Sequence, residues 1–175
     1  MLNTGTEPFG RLAWKWLVAH SLIVACVSNC IALEPKEVMD LPRSEVERAL
    51  PASYPMAYYF YAGRLFKAGD KDDALFWYYV GELRYRFLLA ATPNLPPDGA
   101  PALFASLHES IGSLVADRNQ VAPATSTKEL QRALDWDASN ENGVTSKSAY
   151  RKEWLEVRAK LSQQIELANK AAGAK

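Results

Sequence analysis

The side chains that could perform acid–base chemistry are few and widely separated in this sequence. His108 is the only histidine after residue 20, and Glu109 follows it directly. Adjacent residues of a helix point about 100° apart, so these two side chains do not converge on one substrate. Asp135 and Asp137 flank Trp136, and residues two apart in a helix also face different directions. Neither pair predicts general acid–base catalysis.

Metal binding and nucleophilic catalysis also lack their usual sequence patterns. Asp70, Asp72 and Asp73 lie at the expected start of a helix, where carboxylates favour the helix dipole, so they are interpreted as helix charges rather than calcium ligands. There is no HExxH motif, no nucleophile elbow and no glycine-rich phosphate loop after a strand. Cys26 and Cys30 precede residue 33, which excludes thiol chemistry and disulfides from the rest of the chain. We predict no catalytic residue, metal or cofactor.

The candidates for a binding surface are seven charged or aromatic residues whose polar groups are costly to bury. Arginine and tyrosine are the residue types that anchor protein interfaces. The candidates are Tyr59, Tyr61, Arg84, Tyr85, Arg86, His108 and Glu109. The alternative is that Arg84 and Arg86 are structural, bonded to helix ends and to Glu82, which lies four residues before Arg86.

The helix predicted over about residues 71–92 must position most of these candidates. Its apolar residues fill two faces, so little of its circumference is left for water. One face holds Ala74, Trp77, Tyr78, Gly81, Tyr85, Leu88 and Leu89, and the second holds Phe76, Val80, Leu83 and Phe87. Such a helix has to be surrounded by others. The sequence therefore predicts an all-α, single-domain bundle of about five helices around it, with an N-terminal signal helix.

The surrounding helices are predicted from shorter apolar stripes and from start and stop signals. They cover residues 45–50, 56–68, 102–117, 127–139 and 147–168, after a polar entry segment over 34–40. Ser44 with Glu47, and Ser126 with Glu129, match capping boxes. Gly69 has the position of a C-terminal cap glycine. Residues 118–125 are expected to form a loop, residues 33–168 the helical domain, and residues 169–175 a frayed tail.

Composition supports one folded domain without a nucleic-acid partner. Of 175 residues, 49% are apolar and 23% charged, which is typical of a chain with a core. Twenty basic residues balance 20 acidic ones, so no net positive field attracts nucleic acid.

The N-terminal segment has the parts of a secretory signal. Arg11 and Lys15 precede an apolar run, and cleavage after Ala32 would make residues 1–32 a signal peptide. Residues 23–26 resemble the lipobox of bacterial lipoproteins, which would make Cys26 the lipidated first residue. An uncleaved membrane anchor is the third alternative. N-terminal sequencing of the mature protein would decide among these three alternatives. The protein is predicted to be periplasmic or secreted, or alternatively a membrane-anchored lipoprotein, with membrane contact only through this leader or a lipid on Cys26.

One pair of predicted helices resembles a known repeat. Small and large residues over about 57–85 fall close to the positions of one tetratricopeptide or Sel1-like hairpin; they are Ala62, Gly63, Phe66, Gly69, Ala74, Trp77, Tyr78 and Gly81. True repeat arrays contain several copies, about 34 to 36 residues apart, and this sequence has one. The resemblance implies a helical hairpin that docks peptides.

The leading functional hypothesis is a non-enzymatic exported protein that binds another protein. Residues 78–86 and 135–137 are similar to small uncharacterised bacterial proteins of the toxin-immunity type, which implies an immunity protein against a toxin acting in the periplasm. The alternative is an envelope lipoprotein or scaffold accessory that docks a peptide through the tetratricopeptide-like hairpin. A hydrolase whose carboxylate pair forms only in three dimensions is the second alternative.

Overall fold

The computed structural model describes residues 32–173, and this part of the chain is helical with no strand. Its helices are α1 (Pro35–Asp40), α2 (Arg43–Ala49), α3 (Met56–Ala68), α4 (Lys71–Ala91), α5 (Ala100–Val121), α6 (Pro123–Ser139) and α7 (Arg151–Gly173), with a 3₁₀ turn at Leu50–Ala52. The all-α prediction is confirmed for these residues, which form six α-helices besides α4 where about five were expected around it. The expected leader, with Cys26, lies outside them except for Ala32.

The helix α4 lies at the centre of the fold. Fifteen of its 21 residues are buried, and α3, α5, α6 and α7 all pack on it. The reason is visible in the sequence, because a helix that is apolar on nearly all sides is stable only when other helices cover it. Asp72 and Asp73 occupy its first turn, where carboxylates favour the helix dipole. None of the helices in the described range is both long and apolar enough to cross a membrane.

The core around α4 is built largely from aromatic rings. Trp77 packs against Trp136 with ring centroids 5.3 Å apart, and Tyr59 packs against Tyr78 at the same distance. Both pairs meet edge to face, with interplanar angles of 74° and 76°. Edge-to-face contacts add about 0.5–1.5 kcal/mol to the burial of each pair. The large aromatic area gives the domain a stable core without a disulfide after residue 32.

The turn between α3 and α4 follows the sequence prediction. Gly69 ends α3 with φ of 90°, a left-handed conformation that glycine adopts without the strain of a Cβ atom. Its N–H donates to the carbonyl oxygen of Phe66, and α4 begins two residues later, at Lys71. The short connection makes α3 and α4 adjacent helices, as expected of the hairpin over residues 57–85.

Gly81 sets how closely α3 and α4 approach each other. A Cβ atom at this position would lie 2.8 Å from the Cβ of Tyr58, and that atom cannot move without its backbone. We therefore expect Gly81→Ala to lower the free energy of unfolding by about 1–2 kcal/mol, because overpacking outweighs the gain in helix propensity. Urea unfolding measures the change. In the control Gly63→Ala, the new Cβ meets only the flexible end of Ile111, at 3.2 Å, and stability is expected to hold or rise. A Gly81→Ala protein as stable as the wild type would contradict this packing.

The N-terminal part contains a helix that the sequence analysis missed. Residues 34–40 were expected to form a polar entry segment, but α1 begins at Pro35. The Glu37 carboxylate accepts a hydrogen bond from the Glu34 N–H at 2.8 Å, and proline is well suited to the first helical position. The expected capping box at Ser44 is wrong, since Pro42 occupies the N-cap position of α2.

Several predicted helix boundaries are also wrong. A loop was expected over residues 118–125, but the connection is Ala122 alone, because α5 continues to Val121 and α6 begins at Pro123. Ser126 lies inside α6 and its hydroxyl donates to the carbonyl of Ala122, so it does not cap the helix. The last helix begins at Arg151 rather than residue 147 and extends to Gly173 rather than residue 168.

Candidate functional site

Four of the seven candidate binding residues lie in the interior, so the exposure expected from the sequence is wrong for them. Tyr59, Tyr61 and Tyr85 are 0% exposed and Arg84 is 1% exposed. The tyrosine rings pack in the aromatic core, and the Tyr61 hydroxyl donates to the Glu47 carboxylate at 2.8 Å. In this conformation a partner protein cannot touch any of the four.

Arg84 has a structural role, which the sequence analysis gave as the alternative to a place on a binding surface. Its guanidinium donates to the carbonyl oxygens of Pro51, Asn140 and Glu141, at 3.1, 3.2 and 2.8 Å. It also donates to the Tyr58 hydroxyl at 2.7 Å. Asn140 is the C-cap residue of α6 and Glu141 follows it, so one buried cation binds the end of α6 to α4.

Asp137 is the anion that Arg84 faces, and three cations and one indole N–H surround its carboxylate. Its carboxylate is fully buried and accepts from Arg84 Nε at 3.3 Å and from Trp154 Nε1 at 2.8 Å. Lys147 Nζ and Arg158 Nη1 lie 3.6 and 3.5 Å away. Burial lowers the pKa of Lys147, against the attraction of Asp137. These five residues, which we call the Asp137 cluster, tie α4, α6 and α7 together. They are a structural centre, so Asp137 does not form an acid–base pair with exposed Asp135.

The other three candidates, Arg86, His108 and Glu109, meet in a groove. Helices α5 and α7 both pack on α4, and the space between them remains open as three adjoining cavities of about 260, 520 and 200 Å³. Gln164 lines all three. We call these three cavities together the α5–α7 groove. Its floor is α4, its walls are α5 and α7, and α6 lines the end that Pro123 and Leu130 border.

The middle of the α5–α7 groove is polar. The Tyr78 hydroxyl and His108 Nδ1 are 2.8 Å apart. Arg86 donates twice to one oxygen of Glu82, at 2.7 and 3.0 Å, which confirms the predicted pair four residues apart. Burial raises the pKa of Tyr78 and of Tyr79 above the ordinary tyrosine value.

The two ends of the α5–α7 groove are largely apolar. Near the end of α4, the lining side chains include Leu89, Phe104, Val157 and Leu161, with Lys160 beside them. At the opposite end the apolar lining consists of Pro123, Leu130, Ile165 and Ala168. A cleft with apolar ends and convergent polar groups between them is suited to binding a ligand in one orientation.

Sequence reasoning missed the residues that α7 contributes to the groove. Lys160 and Gln164 lie on one side of this helix, four residues apart, and Phe104 faces them from α5. The available signal was weak, because polar residues on an amphipathic helix are normally interpreted as its solvated face. The described residues contain no group of three or more histidine, cysteine, aspartate or glutamate side chains placed to hold a metal ion.

Comparison of the chain with protein-family models, with curated proteins and with solved structures finds no match. The resemblances to a tetratricopeptide or Sel1-like hairpin and to immunity proteins therefore stay predictions from the residues quoted above.

Proposed function

We propose that this chain is a non-enzymatic helical protein that works by binding another protein in the α5–α7 groove. The observation that supports it is the meeting of Arg86, His108 and Glu109, from two different helices, in a cleft with apolar ends. Helices held by a packed core form the floor and both walls, so a partner would meet a preformed surface. Binding to a preformed surface has a smaller entropic cost than ordering a loop.

The compartment belongs to the same proposal. With residues 1–32 acting as a signal peptide, or with a lipid on Cys26, the groove would work in the periplasm or at the envelope. An immunity protein would use it to block a toxin delivered there. An envelope accessory would use it to hold a peptide of a larger assembly. For such an accessory we propose the groove as the docking site rather than the α3–α4 hairpin, because the inner residues of the hairpin are buried.

Filling the groove should abolish partner binding. Gln164 lines all three cavities, so we expect Gln164→Trp to place an indole in the cleft and to reduce capture of the partner about tenfold or more, equivalent to about 1.4 kcal/mol. The measurement uses a photo-crosslinking residue in place of Ser113, which lines the α5 wall, in cells that produce the protein naturally. Crosslinked proteins are identified by mass spectrometry.

The matched control is Gln163→Trp, the same change one residue earlier on α7. Gln163 is exposed and does not line the cavities, so capture should be unchanged. A second control places the crosslinker at Lys152, whose side chain is 82% exposed and away from the groove. Capture that is equal from positions 113 and 152, or equal in both tryptophan variants, would rule out the groove as the binding site.

A further inference from the structure

The α5–α7 groove follows α4, with α5 and α7 as its walls and α6 lining one end. From Tyr78 to Ala90 its floor on α4 extends about 18 Å, and from Val157 to Ala168 its α7 wall extends about 17 Å, at 1.5 Å per residue. This length matches about three turns of a further helix. The described part of the chain has no strand edge on which an extended peptide could add a strand.

The two apolar ends are separated by the length of two helical turns. Leu161 lines one end and Ala168 the other, and these residues are seven apart on α7, which corresponds to about 10.5 Å. A ligand that fills both ends therefore needs apolar groups at that spacing. Residues i and i+7 on one face of an amphipathic helix supply it.

The groove also presents opposite charges on its two walls. Glu109 lies on α5 and Lys160 on α7, and neither forms an ion pair with any residue between 32 and 172. On the floor, Glu82 and Arg86 neutralise each other. A ligand of complementary charge would carry a cation toward α5 and an anion toward α7.

The positions of these two charges along the groove also differ. Lys160 borders the same apolar end as Phe104, and Glu109 lies five residues beyond Phe104 on α5, or about 7.5 Å further along. The complementary acidic and basic groups of a ligand must therefore be one to two helical turns apart. One face of an extended, flexible chain does not fix such a spacing, whereas a helix does.

We propose, on the basis of the proposed function, that the partner inserts an amphipathic α-helix into the α5–α7 groove. Apolar residues seven apart fill the two ends, a basic residue faces Glu109, and an acidic residue one to two turns away faces Lys160. This is the helix-in-groove mode of recognition, in which apolar anchors supply affinity and the charges fix the direction of the helix.

The test selects ligands from a displayed library of random 20-residue peptides on the purified protein, with counter-selection on the Gln164→Trp variant. The expected consensus has apolar residues at i, i+3 or i+4, and i+7, with one basic and one acidic position. A synthetic consensus peptide, followed by fluorescence anisotropy, should bind at least about tenfold more tightly to Gln163→Trp than to Gln164→Trp. A proline at its centre should abolish binding.

Charge reversal tests the orientation of the helix. Selection on Glu109→Lys should replace the basic consensus position by an acidic one, and selection on Lys160→Glu should do the opposite at the acidic position. The matched control is Glu166→Lys, an exposed residue of α7 that does not line the groove, and it should leave the consensus unchanged. A consensus insensitive to both reversals would overturn the proposed charge pairing.

The remaining outcomes identify other occupants. A consensus with alternating or proline-rich spacing, or no enrichment against Gln164→Trp, would overturn the proposal that the partner inserts a helix. Crosslinking from position 113 tests separately whether any partner binds in the groove. A crosslink from position 113 to residues 1–31 would assign the groove to this chain's own N-terminal segment. Dimerisation lost in Gln164→Trp but kept in Gln163→Trp, measured by sedimentation velocity, would assign it to a second copy. Either result would overturn the partner helix.

Discussion

Asp137→Ala is expected to lower the free energy of unfolding by about 3–5 kcal/mol, the usual cost of removing one partner from a buried ion pair. The carboxylate is fully buried and faces three cations, Arg84, Lys147 and Arg158. Without it their charges repel one another in the interior, and Trp154 Nε1 loses its acceptor at 2.8 Å. The loss therefore combines unpaired charge with an unsatisfied donor.

Urea unfolding followed by tryptophan fluorescence measures this effect. The control is Asp135→Ala, two residues earlier on α6, where the carboxylate is exposed and, among residues 32–172, accepts only from Gln131. We expect a nearly unchanged midpoint for that variant. Equal midpoints for the two alanine variants would show that Asp137 does not hold the cluster together.

Arg84→Ala is expected to cost a similar amount, about 3–5 kcal/mol. It removes donors from the Tyr58 hydroxyl and from the carbonyls of Pro51, Asn140 and Glu141, and it opens a cavity in the core. It also removes the stacking of the guanidinium on the Trp136 ring, 4.9 Å from the ring centroid. Thermal unfolding by circular dichroism should show a large drop in Tm.

The matched control for this prediction is Arg151→Ala, because Arg151 is exposed at the start of α7 and forms no ion pair among residues 32–172. Its Tm should match that of the wild type. The result also decides between the two roles considered for Arg84. Unchanged stability together with lost partner binding would restore it as a surface residue and contradict its burial.

The Asp137 cluster and the α5–α7 groove are physically linked. Trp154 and Arg158 bind Asp137 from α7, and the same helix forms one wall of the groove from Val157 onward. Because the Asp137 cluster holds the first turns of α7 against α6, it also fixes the position of the α7 wall relative to α4. The buried charges place the binding surface without taking part in it.

Local signals in the sequence were sufficient for the helical class and for parts of the α3–α4 hairpin. The apolar circumference of residues 71–92 required a surrounded helix, Gly69 marked the end of α3, and the four-residue spacing of Glu82 and Arg86 gave their ion pair. Each of these features depends on residues within about two turns of one another, and such interactions are fixed by helix geometry.

Capping boxes were less dependable, even though they are local too. Ser44 with Glu47 and Ser126 with Glu129 have the correct spacing, yet neither serine starts its helix. A cap contributes about 1 kcal/mol, so a neighbouring proline that suits the first helical turn can move the start to an earlier residue. Pro123 does so for α6.

Helical periodicity was enough to predict that α4 is enclosed, whereas the accessibility of its polar side chains depends on which distant residues pack against them. Arg84 and Arg86 have the same chemistry two residues apart, and Arg84 is buried because Asp137, 53 residues away, meets it there, while Arg86 borders the groove. The groove itself depends on how far apart α5 and α7 pack on α4. That separation results from contacts between segments distant in sequence, which helical periodicity does not record.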